Sequence, residues 1–270
     1  MALTAFQRDV CRLLADNRIR SGESYVAGGA ALNEILGAFR VSRDLDLFHD
    51  TAEALEAAWR ADRASLEAAG CRVQVVRERA GFVEVGVERG GDTVVIQWTR
   101  DSAYRFFPLL RHDELGLTLH PFDLATNKLL ALVGRGEPRD LVDALACHEG
   151  LQPLGFIAWA ACGKDPGFSP RAILEHAAAS TRYSAPELAG LAFEGPPPDP
   201  AGILARWHEA LGAAREVVGR LPPEQAGKAV LTREARLFRG GTAELAEALA
   251  ADRLRFHEGA IKGAFPQLVR

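Results

Sequence analysis

Asp44 and Asp46 stand two residues apart in the run Asp44-Leu45-Asp46-Leu47-Phe48. Residues two apart in an extended strand project from the same face. Both carboxylates therefore emerge together, while Leu45 and Leu47 face the packing on the other side. Two carboxylates about 4 Å apart repel by roughly 4 kcal/mol at an effective dielectric near 20. A divalent cation removes that repulsion, and an oxygen-rich pair suits Mg²⁺, which also binds substrate phosphates. Upstream, Gly28 and Gly29 follow the short apolar run Tyr25-Val26-Ala27. A Gly-Gly pair permits a tight turn and close backbone approach, and the free N–H groups of a helix that starts there can meet a phosphate. Ser42 shares the face of Asp44 if the strand begins that early, and its hydroxyl can then donate to a phosphate oxygen. Transfer of a phosphoryl or nucleotidyl group needs charge neutralisation and positioning more than covalent chemistry, and these residues supply both.

A second group lies downstream. Lys128 falls in a helical run, and Arg139-Asp140-x-x-Asp143 opens the next one. Lys128 offers a point charge to a triphosphate. A helical hairpin or bend between them brings Lys128 and Asp143 to one place, and Asp140 competes with Asp143 for the acidic role. Two plainer readings stand beside these. Lys128 can point to solvent while Leu129, Leu130 and Leu132 face the core. Helix capping and i,i+4 pairing also account for Arg139, Asp140 and Asp143.

The elements that must position these residues follow from periodicity. Phe6, Val10, Leu13 and Leu14 have helical spacing. Ser24–Ala27 reads as a buried strand, 30–39 as a short helix and Asp44–Phe48 as the second strand. Thr51 is placed to cap a helix that runs to about Ala69, with Gly70 ending it. Strand-like runs follow at Arg72–Arg77, Phe82–Glu88 and Thr93–Thr99, the last two joined by the turn Gly90-Gly91-Asp92. Leu117–His120 adds a short strand. Helical patterns then take over at Phe122–Val133, Arg139–Cys147, Gly155–Cys162, Pro170–Ala179, Ile203–Arg220 and Ala243–Phe256. The run Gly195-Pro196-Pro197-Pro198-Asp199-Pro200 is a stiff connector. The fold class is therefore α+β, a mixed sheet followed by a mainly helical C-terminal region. We place the domain boundary near Gly150, giving domains 1–150 and 151–270.

Composition bounds the rest. The chain has 270 residues, 48% hydrophobic and 25% charged, as in ordinary globular proteins. No apolar run is long enough for a membrane span. The N-terminal stretch mixes charges into its apolar pattern and lacks a signal-peptide core, which points to the cytoplasm. Cys11, Cys71, Cys147 and Cys162 are scattered and read as reduced, buried thiols. A net charge of −4 argues against broad non-specific nucleic-acid binding. Residues 1–150 hold 18 basic and 23 acidic residues, and residues 151–270 hold 14 and 13. A basic face around Arg233, Arg236 and Arg239 remains open, against the plainer reading of a solvated helix face.

In order and spacing, Gly28-Gly29, Arg40-x-Ser42-x-Asp44-x-Asp46, Lys128 and Arg139-Asp140-x-x-Asp143 resemble the AbiEii-type nucleotidyltransferase toxins. These belong to the DNA polymerase beta-like nucleotidyltransferase superfamily. The resemblance spans about residues 20–150. It implies a polymerase beta-like core and an Mg²⁺-dependent enzyme that transfers NMP from an NTP to a tRNA 3′ end or a protein hydroxyl. It implies a toxin of a bacterial toxin–antitoxin or phage-defence system, with an antitoxin protein as partner. On the matching positions, Asp44 and Asp46 become metal-binding catalytic residues and Lys128 and Asp143 the later catalytic pair. Gly28, Gly29, Ser42 and Asp140 become substrate-binding residues. The chain departs from the superfamily at one point. Many members place a third carboxylate on a later central strand, where this chain has Gln97, and Gln is a poor Mg²⁺ ligand beside a carboxylate. A non-catalytic nucleotide-binding scaffold and a small-molecule nucleotidyltransferase of the antibiotic-modifying kind are the competing readings.

Overall fold

Local signals set the first elements. In the computed structural model, which describes residues 3–38, 40–42, 44–179 and 183–266, Thr4 caps helix α1 (Ala5–Ser21). Its hydroxyl accepts the Gln7 N–H at 3.1 Å, and the Gln7 side chain accepts the Thr4 N–H at 2.8 Å, a reciprocal capping box. Strand β1 (Ser24–Ala27) runs straight into α2 (Gly28–Leu36). Phe39, where the spacing predicts the end of that helix, lies outside the described residues. Strand β2 (Asp44–His49) follows, then α3 (Ala52–Ala68), whose first turn is capped by the Thr51 hydroxyl. Strands β3 (Arg72–Arg79), β4 (Phe82–Arg89) and β5 (Asp92–Arg100) form a meander. After β6 (Tyr104–Arg105) come the short strands β7 (Leu110–His112) and β8 (Gly116–Thr118).

The chain divides into two compact units, residues 1–103 with 109–120, and residues 104–108 with 121–270. The first unit is built on one seven-stranded sheet in the order β3-β4-β5-β2-β1-β8-β7. Its β2–β5 and β1–β8 pairs are parallel and the others antiparallel, so the sheet is mixed, as expected. Leu45, Leu47, Val83, Val85, Val87, Val94, Ile96 and Trp98 are buried, and α1 and α3 pack on each other and on the sheet. The alternate positions, among them Asp44, Asp46, Glu84 and Gln97, form the half-buried side. All four cysteines are free and buried, as the sequence suggests.

His49 is fully buried at the end of β2. Its Nδ1 lies 3.4 Å from the Thr99 carbonyl. A carbonyl only accepts, so Nδ1 carries the proton and Nε2, 3.1 Å from the Ser24 hydroxyl, accepts from it. Burial pushes the imidazole pKa down to about 4. Between the ordinary value of about 6.5 and that value, the unfolded chain binds a proton that the folded one refuses. Stability from this group is therefore complete above about pH 6.5 and is lost as the pH falls to about 4, by about 2–3 kcal/mol. Asp62, raised by its own burial although it accepts hydrogen bonds from Asn17 and Trp98, acts with the opposite sign. Comparing denaturant unfolding of the wild type and His49→Gln at pH 7 and pH 4.5 cancels the Asp62 contribution. The wild type should lose more stability on acidification than the variant, and equal losses would rule out His49 as the source.

The second unit is mainly helical: α4 (Pro121–Arg135), α5 (Pro138–Gly150), α6 (Leu154–Ala161), α7 (Pro170–Ala179), α8 (Ala185–Ala189), α9 (Pro200–Arg220) and α10 (Thr242–Ala250). It also has a small sheet of β9 (Ala229–Thr232) with β10 (Leu254–His257), and β6 pairs with β11 (Ala260–Ile261). The buried Asp123 carboxylate draws 104–108 into this unit. It accepts the Phe106 and Phe107 N–H groups at 2.9 and 3.0 Å and pairs with Lys164 at 2.8 Å. One helical expectation is corrected. The pattern over Ala243–Phe256 ends at Ala250 as helix, because Asp252 takes a left-handed φ of 50°. Leu254 and Phe256 then pack as strand residues on Val230 and Leu245. Arg233, Arg236 and Arg239 are likewise not on a helix. Arg233 pairs with Asp252 at 2.9 Å, and Arg239 donates to the Glu149 carbonyl at 3.0 Å. Among the described residues, no helix is long and apolar enough to cross a membrane.

Candidate active site

The first unit gathers Gly28, Gly29, Ser42, Asp44 and Asp46. Asp46 pairs in register with Ala27 of β1, the residue before Gly28. Gly28 has a φ of +66°, which lets the chain leave the strand and enter α2 in one step, and a Cβ there would overlap the Asp46 carboxylate. Glycine is thus required twice, by the left-handed backbone and by the carboxylate lying against the first residue of a helix. That position suits a negative charge. A Cβ on Gly29 would overlap the guanidinium of Arg40, with the Ser42 hydroxyl also close. Arg40 and Ser42 are both buried. In the sequence Arg40 stands out only as part of the run Arg40-x-Ser42-x-Asp44-x-Asp46. Its place over Gly29 depends on the return of the chain from α2 to β2, which no local pattern specifies.

Asp44 and Asp46 are half-buried and alternate with the buried Leu45 and Leu47, as the period-two argument requires. Ser42 precedes β2 instead of sharing its face, because the strand begins at Asp44. Its hydroxyl donates to the Asp44 carbonyl at 3.3 Å, and its own carbonyl accepts from Gln7 at 3.0 Å. Across the parallel pair β2–β5, Asp46 stands opposite Gln97. Among the described residues, no group of three or more His, Cys, Asp or Glu side chains is placed to hold a metal ion. The Asp44/Asp46 pair is a set of hard oxygen donors, and Mg²⁺ commonly binds through one or two carboxylates while keeping waters and substrate phosphates in its shell. The residues present fit that ion.

The second unit gathers Lys128, Asp140 and Asp143. The α4–α5 hairpin brings the Lys128 ammonium within 3.0 Å of Asp140 and 2.9 Å of Asp143. Arg135 adds a two-point contact to Asp140 at 2.7 and 2.9 Å. The Lys128 side chain is 8% exposed and both aspartates are 0% exposed, so the solvated-lysine reading is overturned. The acids are also more than a helix cap, since their cations come from α4. Burial alone would raise the Asp140 pKa, but the Arg135 hydrogen bond and the Lys128 charge outweigh it and hold the group below its ordinary value. Burial and the neighbouring Asp143 raise the Cys147 thiol, which keeps it protonated and unreactive.

No protein-family model matches the chain, and no curated protein matches it in sequence. Solved structures do. An H. pylori protein proposed to be a nucleotidyltransferase is 13% identical over 82% of this chain and 99% of that one, with a TM-score of 0.51. JHP933 from Helicobacter pylori is 12% identical over 90% of this chain and 94% of that one, with a TM-score of 0.50. MenT4, a nucleotidyltransferase toxin from Mycobacterium tuberculosis H37Rv, is 16% identical over 90% of this chain and 94% of that one, with a TM-score of 0.42. At such identities the two H. pylori proteins speak for the fold alone, and this chain shares that fold.

Proposed function

We propose that this protein is an Mg²⁺-dependent nucleotidyltransferase that moves NMP from an NTP to a tRNA 3′ end or a protein hydroxyl and releases pyrophosphate. The observation that carries the reading is the Asp44/Asp46 pair on one strand face, with Asp46 set against the first residue of the helix that Gly28-Gly29 opens. We assign Asp44 and Asp46 to the metal and Gly28, Gly29 and Ser42 to the nucleotide phosphates. Lys128 is assigned the triphosphate charge, Asp143 the later acidic role, and Asp140 a share in substrate binding. The bound ion would neutralise developing charge on the phosphates and the attacking oxygen. The protein's own part is to hold its carboxylates in one place and present backbone N–H groups at the start of α2. The catalytic domain would span residues 1–150, and residues 151–270 would form a helical C-terminal domain. We further propose a cytoplasmic protein, and from the motif resemblance we read it as a toxin held in check by an antitoxin.

A second reading, a nucleotide-binding scaffold without turnover, is favoured by one observation: the uncharged Gln97 opposite Asp46. Label transfer from each α-labelled NTP with Mg²⁺ to total tRNA, to cell protein and to the protein itself separates the two. The enzyme should label RNA or protein, and Asp44→Ala should abolish the label. Absence of transfer from all four NTPs to any of these acceptors would reject the toxin reading.

A further inference from the structure

On one side the sheet of the first unit ends at β3, which has β4 as its strand neighbour and no strand beyond it among the described residues. The outer N–H and C=O groups of such an edge join no ladder, which makes the edge a template for one more strand. Seven of the eight residues of β3 are exposed, so the edge is open over about 26 Å. Val75 and Val76 are 38% and 61% exposed. Val76 falls at the register shift between Val75 and Arg77 and has no cross-strand partner on β4. The strand carries Arg72, Arg77 and Arg79 against one acid, Glu78, a basic strip on a chain of net charge −4. Arg72 and Arg77 stand in register with Glu88 and Glu84 of β4. Among the described residues, neither guanidinium makes an ion pair or a hydrogen bond. Glu84 instead accepts from the Gln97 amide at 2.7 Å. Arg79 lies over the Phe82 ring at 5.1 Å and, among the described residues, meets no carboxylate.

We infer that β3 is a docking edge for an extended acidic segment of a partner protein, which joins the sheet as an eighth strand. In such an addition the main chain supplies affinity and the alternate side chains supply specificity. Here β-branched residues meet Val75 and Val76, and carboxylates meet Arg72, Arg77 and Arg79. The charges decide between this occupant and a second copy of the chain. Antiparallel self-pairing along the whole of β3 sets Arg72 opposite Arg79 twice and Gln74 opposite Arg77, and like charges directly opposite each other are destabilising. Charged side chains on an edge guard it against pairing with its own kind, and the same arginines attract a strand of opposite charge. The inference does not rest on the metal site of the proposed function, and nucleotidyl transfer is not among its readouts.

The test uses the full-length protein and a fluorescein-labelled peptide of about eight residues that alternates Glu and Val, with binding followed by anisotropy. The acidic peptide should bind, and one with Lys in place of each Glu should bind about tenfold more weakly. Arg72→Glu combined with Arg77→Glu should reverse that order, weakening the acidic peptide about tenfold and strengthening the Lys peptide. Because the variant gains one ligand as it loses the other, unfolding cannot imitate the result. N-methylation of the acidic peptide's nitrogens removes its ladder donors and should abolish binding. Hydrogen exchange of the β3 amides should slow when the acidic peptide is bound. Failure of the acidic peptide to bind, equal affinity for the two peptides, or an unchanged preference in the charge-reversed variant would overturn the inference. Binding that survives N-methylation or leaves β3 exchange unaltered would overturn it as well, as would a wild-type dimer paired through β3.

Discussion

Nucleotidyl transfer by Asp46→Asn is expected to fall by about 10³-fold, roughly 4 kcal/mol of transition-state stabilisation. Asparagine keeps the shape of Asp46 and its position against Gly28, where a Cβ on the glycine would overlap it. It removes one of two charges that the strand holds on one face. The variant should stay folded while activity collapses. Initial rates of label transfer and a thermal melt on the same preparation read both quantities. Retention of more than about a tenth of the wild-type rate would remove Asp46 from the metal site.

The parts of this arrangement that were legible in the sequence are those fixed by short-range rules. Alternation at Asp44–Phe48 gave the strand and the face of its carboxylates, and Gly28-Gly29 gave the turn, because a period of two and a left-handed backbone leave marks in adjacent residues. The meander from Arg72 to Thr99 was readable for the same reason. Contacts that depend on register or on hairpin closure were not. Glu84 and Gln97 are 13 residues apart, and nothing in either strand alone says that they face each other. Arg40 comes to Gly29 only through the path from α2 to β2. At the C-terminal end, Leu254 and Phe256 continued the helical spacing of the preceding run. A left-handed Asp252 and the apolar surface offered by Val230 turned that segment into a strand, a tertiary override that periodicity does not register.

Lys128→Ala should destabilise the α4–α5 hairpin by about 3–5 kcal/mol, because it withdraws the cation shared by two fully buried carboxylates. Arg135 remains on Asp140 but is half exposed, so it screens that group less than a buried ammonium does. The expected readout is native-state hydrogen exchange of the α4 and α5 amides, which reports the local opening energy. Lys128→Met combined with Asp143→Leu should recover much of the loss, since an apolar replacement of a buried ion pair is often neutral or better. The same cluster sets an acid limit. The Asp140 pKa is held below its ordinary value by Arg135 and Lys128. Its contribution is therefore present above about pH 4 and is lost as the pH falls through the folded value. A structural role alone predicts that the Lys128→Met, Asp143→Leu protein is stable and active. The proposed function predicts that it is stable and inactive, so this one variant separates the structural role of the buried pair from its chemical one.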